Sequence, residues 1–527
     1  MKINLKNKIM LALLLGVLSV GTLAEAAETK VWVGNGDGAA GTNWKGAVMA
    51  NSTSPISGAC TTGANLFLDG TGSHDGIAIS DVNYFYAGYG SGDGTATGNS
   101  LTITDGSYGE KKYFYGGHTS GSGAVTGNNL TINGGVFGKQ CEFYGGYTSR
   151  GSGAVTGNTL TINAGSFDVY IPGEVYWLAA GRSYGSGDVT GNTLKIYGGS
   201  FNGRFYSLWG GLSFGAGRVD NNTVIIDGVR FVYNYNIEGG HSGGDGAGAS
   251  GNTVIIKNSP QMYCNIFGGF CENAGDATGN RVIIENSFID FTDICGGMSA
   301  GGGNANNNEV RITGGYLLGG GLEIFGGHSS GDNGNANYNK VILTDVSIDN
   351  PRFYGGEANR ACNNKVIFTD TEVDATYVNG GAGGGDAIGN TVIFTNVTAT
   401  GSGITGGYSA NGDAIGNLVE IKGGSLMSVG GNFYLYGGYA PNGRSADNTL
   451  NLKIKTGGKW EDVGWSQNMN FTLPTGFTKN DAMITTTDVC YKNTKIAVDA
   501  ALGVNFQKGD VLTLIAADNL TGDSSIT

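Results

Sequence analysis

Gly127-Asn128-Asn129-Leu130-Thr131-Ile132 returns as Gly157-Asn158-Thr159-Leu160-Thr161-Ile162, and again as Gly191-Asn192-Thr193-Leu194-Lys195-Ile196. An Asn followed two and four residues later by an apolar residue recurs thirteen times. The series is Asn99, Asn128, Asn158, Asn192, Asn222, Asn252, Asn280, Asn308, Asn339, Asn364, Asn390, Asn417 and Asn448. The intervals run from 25 to 34 residues. A steady period in this range marks stacked supersecondary units rather than one globular core.

Working outward from each Asn, the register stays tight. Position +2 is Leu or Val and position +4 is Ile, Leu or Phe, the period-two signature of a half-buried strand. A second strand carries a Gly pair (Ala-Gly in two repeats) with an apolar residue three positions before the second Gly, as in Phe114, Ile237 and Leu435. A third apolar site falls at +9, as in Phe137 and Phe201, and a small one at −3, as in Val125 and Ala277. Three short strands per period joined by Gly-rich turns predict an all-β, right-handed parallel β-helix of about 13 coils of about 29 residues. Such coils bury their side chains only against neighbours. The Asn column itself, Asn128 to Asn308 most regularly, predicts a stacked amide ladder. Asn also tolerates left-handed backbone angles and satisfies turn groups.

Composition agrees. There are 99 Gly but only six Pro in 527 residues, so the chain is neither collagen-like nor a Pro-rich linker. A formal charge of −13 without a basic patch argues against nucleic acid and anionic membrane surfaces. Residues 1–26 read as a secretory leader: Lys2, Lys6 and Lys8, an apolar run from Ile9 to Val20, then Ala24-Glu25-Ala26. Residues 27–82 lack the repeat and are expected to cap the first coil; 83–457 hold the repeats; 458–527 are expected to form a C-terminal β cap. Seven Cys is an odd number for a secreted chain and no C-x-x-C occurs, so they read mostly as small apolar fillers. Cys141 and Cys264 share a repeat position but lie about 19 Å apart at strand spacing, too far to bridge.

The leader, the opening Val31-Trp32-Val33-Gly34 with Trp44, the Gly/Asn/Thr coils and Phe506-Gln507-Lys508-Gly509-Asp510-Val511-Leu512 together resemble the passenger region of a bacterial autotransporter. The resemblance lies in repeat style over nearly the whole chain. It implies a chain secreted across the inner membrane to the cell surface of a Gram-negative-type bacterium. It implies attachment to the membrane only through a C-terminal barrel encoded beyond Thr527. The expected partners are a host or bacterial surface ligand, protein or glycan, and other copies of the chain. The expected function is adhesion or self-association. The alternative is a polysaccharide-active β-helical enzyme.

Candidate sites follow from the coil register. Position +3 alternates outward and is Thr early but Ile at Ile225, Ile255, Ile283, Ile342, Ile367 and Ile393, two apolar strips suited to docking. His118, His241 and His328 follow the Gly pair, where other coils place Tyr89, Tyr147, Arg182, Phe270, Glu357, Tyr408 and Tyr439. The histidines lie roughly 19 and 14 Å apart at strand spacing and cannot share a metal. A position accepting Arg, Glu and Tyr is expected at the surface, either as plain strand residues or as a broken aromatic strip that stacks sugar rings. Asp227, Lys257 and Glu285 at +5 read as a salt-bridge column, although Asp227 and Glu285, about 10 Å apart, approach an inverting-glycosidase spacing. The turns Gly275-Asp276, Gly385-Asp386 and Gly412-Asp413 lack the nine-residue period of calcium repeats. No catalytic set, metal or cofactor is assigned.

Overall fold

The computed structural model describes residues 83–522 apart from 91–92, 168–175, 202–204, 232–235, 291–292, 320, 428–432, 492, 502–503 and 505. Before residue 83 it describes only the short strands Val31–Gly34, Ala47–Ala50, Thr61–Thr62, Asn65–Asp69, Ser73–His74 and Ile77–Ala78. The leader, Cys60 and the 168–175 insertion lie outside the described residues. The described chain is all strand and turn. Parallel strands about 29 residues apart stack into a β-solenoid of about 14 turns, a rod on the order of 65 Å at the usual strand spacing.

Each coil has a Gly-pair strand such as Tyr113–Thr119, a short strand such as Val125–Thr126 and an Asn strand such as Asn129–Ile132. Each pairs in parallel with the same strand of its neighbours, for example Leu130 with Leu101 and Leu160, and the register shifts between Tyr176 and Trp177, which face Phe205 and Ser207. The inside–outside alternation holds. Leu130, Ile132, Phe114, Phe137 and their equivalents are buried in one continuous core, and the −3 residues Ala96, Val125, Val155, Val189 and Val219 form a small one of their own. In the first coils the core is aromatic: Phe85, Phe114 and Phe143 stack at 4.8 and 5.0 Å. Phe137 and Phe167 stack at 4.9 Å in a second column that meets the first edge-on.

The Asn column is the amide ladder expected, with a different reason behind it. All thirteen Asn are buried. The Asn128 Oδ1 accepts the backbone N–H and the side-chain amide of Asn99 at 2.9 and 2.7 Å, while its own Nδ2 donates to the Ala96 carbonyl at 2.8 Å. The pattern repeats coil by coil until the Asn448 N–H donates to Gln467 Oε1 at 3.0 Å, where Gln ends the ladder. The left-handed angle belongs not to the Asn but to the residue before it: Gly127, Gly157, Gly191 and Gly251, or Asn221, Asn307 and Asn363 with φ near +56°. The ladder also explains the Gly pair. A Cβ on Gly117 would stand 2.4 Å from the Asn128 amide, and one on Gly240 2.4 Å from that of Asn252.

Stacking extends beyond both expected boundaries of the repeat. Thr61–Thr62 and Asn65–Asp69 already lie in parallel register on the first repeat, while Ala47–Ala50 closes the edge of Tyr84–Gly90 in antiparallel pairing. Beyond residue 458, Asn468–Leu473 and Lys495–Ala500 continue the Asn face. Trp460–Gly464, Ala482–Tyr491 and Thr513–Gly522 continue the Gly-pair face.

Candidate functional site: a tyrosine-lined groove on the outer Gly-pair face

The Gly-pair strand sends one side chain inward, as Phe114, and three outward, as Tyr113, Tyr115 and His118. Because the coils keep one register through the Gly pair, each outward position becomes a row along the rod. One row runs Tyr86, Tyr115, Tyr144, Ala179, Trp209, Glu238, Phe267, Cys295, Phe325, Tyr354, Asn379, Thr405, Tyr436. The row after the Gly pair holds the three histidines.

In the N-terminal coils this face is a second core. Tyr86, Tyr115 and Tyr144 stack at 4.9 and 5.4 Å, and Tyr86, Tyr89, Tyr144, Trp209 and Leu212 are buried. The expectation that residues after the Gly pair lie at the surface fails here. His118 and Arg182 are each only 3% exposed. Neighbouring coils supply large rings at the same height, and rings stacked along a row exclude water from what lies between them. Arg182 is boxed by the rings of Trp177 at 4.5 Å, Tyr184 at 4.6 Å and Tyr144 at 5.3 Å. It donates to the Tyr144 and Tyr184 hydroxyls and pairs with Glu142 at 3.6 Å.

The three histidines occupy one register position in three settings. His118 lies between the Tyr89 and Tyr147 rings at 5.2 and 5.1 Å, and burial pulls its pKa down to about 3. His241 is also buried, which opposes its charge. However, Nδ1 meets Glu238, Nε2 lies 3.2 Å from Glu272, and the two carboxylates raise its pKa to about 9. Glu238 also accepts the Trp209 indole N–H at 3.1 Å. His328 is partly exposed, 3.3 Å from Glu357.

Past Tyr354 the fill stops. Asn379 and Thr405 take the ring positions of the first row and Ala382 that of the histidine row, and Gly403 is the partner of Tyr377 and Tyr434. The result is a groove of about 1280 Å³ running from His328 to Tyr439. It is lined by Tyr354, Tyr377, Tyr408, Tyr434, Tyr436 and Tyr439, together with Asn359, Asn379, Asn411 and Thr405. Tyr434 lies across Gly403, where a Cβ would meet its ring at 2.5 Å, and reaches within 6.1 Å of Tyr377. Burial raises the Tyr354 pKa to about 12, so its hydroxyl stays neutral, and the Tyr436 hydroxyl donates to Asp462 at 2.8 Å.

Comparison with protein-family models, curated proteins and solved structures finds no match to this chain. The site therefore has to be read from its own geometry.

The other sequence-derived candidates are placed as follows. Ile225, Ile255 and Ile283 pair side by side, as do Ile342, Ile367 and Ile393, each group half-exposed on the outside of the Asn face; Arg311 separates them. Lys257 pairs with Glu285 at 2.9 Å, but Asp227 accepts from the Asn258 amide instead, so the salt-bridge column has two members rather than three. The turn aspartates serve the stack: Asp276 accepts the Asn304 N–H, Asp386 that of Asp413, and Asp413 that of Arg444. Cys141, Cys264, Cys271, Cys295 and Cys362 are buried thiols outside any disulfide, and burial pushes Cys141 and Cys271 up to about 12, as befits packing residues. Sequence reading singled out Glu357, Tyr408 and Tyr439 as row members but missed the groove. Its signal was the run of small residues at Asn379, Ala382, Gly403 and Thr405.

Proposed function

We propose that this chain is a secreted, surface-displayed passenger that works by binding, with adhesion or self-association as the outcome, and that the tyrosine groove is where the ligand sits. One observation carries this reading. The same face is filled and dry in the N-terminal coils, yet opens over His328 to Tyr439 into a concave site with tyrosine walls and polar side chains between them. Tyrosine supplies contact area at low entropic cost and a polar tip for orientation. Of the two acids whose spacing suggested a glycosidase, Glu285 pairs with Lys257 and Asp227 accepts from the Asn258 amide, and neither lines the groove. This favours binding over the polysaccharide-active enzyme.

The test fills the gap. Asn379→Trp with Ala382→Trp places a ring beside Tyr354 in the first row and beside Tyr408 in the histidine row, so circular dichroism and melting temperature should stay close to wild type. Adhesion of the displayed chain to host or bacterial cells should fall to background. Unchanged adhesion by the folded double variant would remove the groove from the function.

A further inference from the structure

Resting on that reading, we infer that the ligand of the groove is a neutral oligosaccharide whose sugar rings complete the interrupted stack. The rows are columns of rings repeating at the coil spacing. Where a column stops, a ring is left with one bare face. Tyr354 stacks on Phe325 at 5.0 Å, but its next neighbour in the row is Asn379. Tyr408 has Tyr439 at 5.9 Å on one side and Ala382 on the other. Two consecutive coils therefore lack a ring in the first row, a gap of about 14 Å between Tyr354 and Tyr436 at strand spacing.

The chemistry of the walls selects what fits. Aromatic faces carry negative charge and attract electropositive edges and C–H groups, which pyranose rings present on their faces. The aliphatic lining consists only of alanines, Ala358, Ala382 and Ala410, so there is no pocket for a leucine-like side chain or an acyl chain. The one arginine of the described lining, Arg352, is taken up by Glu323 at 3.3 Å beside the Tyr377 ring, and Asp332 and Glu357 add carboxylates that repel anions, Glu357 lying 3.3 Å from His328. Among the described lining residues no cluster of free cations waits for phosphate, sulfate or uronate. What remains is hydrogen-bonding capacity suited to hydroxyl groups. The side-chain amides of Asn359, Asn379 and Asn411 line the gap with no hydrogen bond to another described residue.

The experiment uses the full chain and a panel of hexasaccharides: cellohexaose, maltohexaose, mannohexaose, xylohexaose and chitohexaose as neutral probes, and hexagalacturonate as the charged one. Calorimetric titration should show binding of at least one neutral probe and none of hexagalacturonate. Tyr354→Ala and Tyr408→Ala should each weaken it by about 2-fold to 10-fold. Tyr354→Phe, which keeps the ring, should retain most of the affinity, and Ala382→Trp should abolish it. Binding of hexagalacturonate alone, or of no neutral probe, overturns the inference. If filling the groove still abolishes cell adhesion in that case, the groove remains the binding site for a ligand of another class. If filling the groove leaves adhesion intact, the parent reading is what fails.

Discussion

From Tyr84 to Leu212 the outer Gly-pair face is a second core; from His328 to Tyr439 the same face, in the same register, is a groove. Both stretches sit on the same ladder of strands, with an inward apolar residue and a Gly over the Asn in every coil. The backbone decides only that a side chain points outward at a given height. Whether that height is wall or site depends on the size of the side chain and of its neighbours one coil away. Arg182 shows the first outcome, buried beneath rings from three coils; Arg352 shows the second, exposed beside a single ring.

The strongest way to break this comparison is to strike what the two regions share. Asn192→Leu beneath the closed face and Asn390→Leu beneath the groove each strand a backbone N–H and amide of the preceding Asn and a carbonyl, of Val155 or Ala361. Each should cost on the order of 4 kcal/mol, read as equal falls in denaturant midpoint. A large difference between them would mean that the ladder does not bear on both regions alike.

The next test separates the regions. Arg182→Met leaves Glu142 half-buried without its partner and should cost about 3 kcal/mol. Arg352→Met removes an exposed pair and should cost about 1 kcal/mol or less. Equal losses by thermal denaturation would contradict the division into core and groove.

Acidity sharpens the picture within the closed region. His241 has a raised pKa, so its stabilisation is complete below about 6.5, the unfolded value, and is lost as pH rises through about 9, a change on the order of 3 kcal/mol. His118 has a lowered pKa, so its contribution is present above about 6.5 and is lost as pH falls towards 3. In His241→Gln the alkaline loss should disappear, and in His118→Phe the acid loss should shrink. Melting temperatures across pH 4 to 10, compared with wild type, give the readout, and unchanged profiles would refute both assignments.

The smallest structural effect belongs to the Ile strips. Replacing Ile225, Ile255, Ile283, Ile342, Ile367 and Ile393 by Thr, which early coils carry at the same height, should leave the fold intact, with each change within about 0.5 kcal/mol. Light scattering then reports whether the strips drive self-association independently of the groove. Unfolding of the variant would make the strips structural.

Most of the fold was legible because a solenoid writes its contacts at one repeated distance in sequence. Leu130 faces Leu160 in space because the two occupy equivalent places in the period, so the core, the strand faces and the ladder could be read by alignment of the chain with itself. The ends were less legible: the strands after Trp460 keep the stacking while discarding the Asn, and hydrogen bonds between backbones do not require it. The site was legible only as a row. Glu357, Tyr408 and Tyr439 stood out as large residues at an outward position, while the groove is made by the residues that are small.

The amino-acid sequence by itself determined the period, the inward apolar positions, the amide ladder and the Gly pair that makes room for it, because each depends on residue type at a fixed offset. Only the tertiary structure decided which outward residues are buried. Three histidines share one offset, yet one is neutral between tyrosines, one is charged between glutamates and one edges a groove. What surrounds them comes largely from a full coil away, Tyr89 and Tyr147 beside His118, Glu272 beside His241 and Glu357 beside His328, and only Glu238 of the His241 pair lies on the same strand.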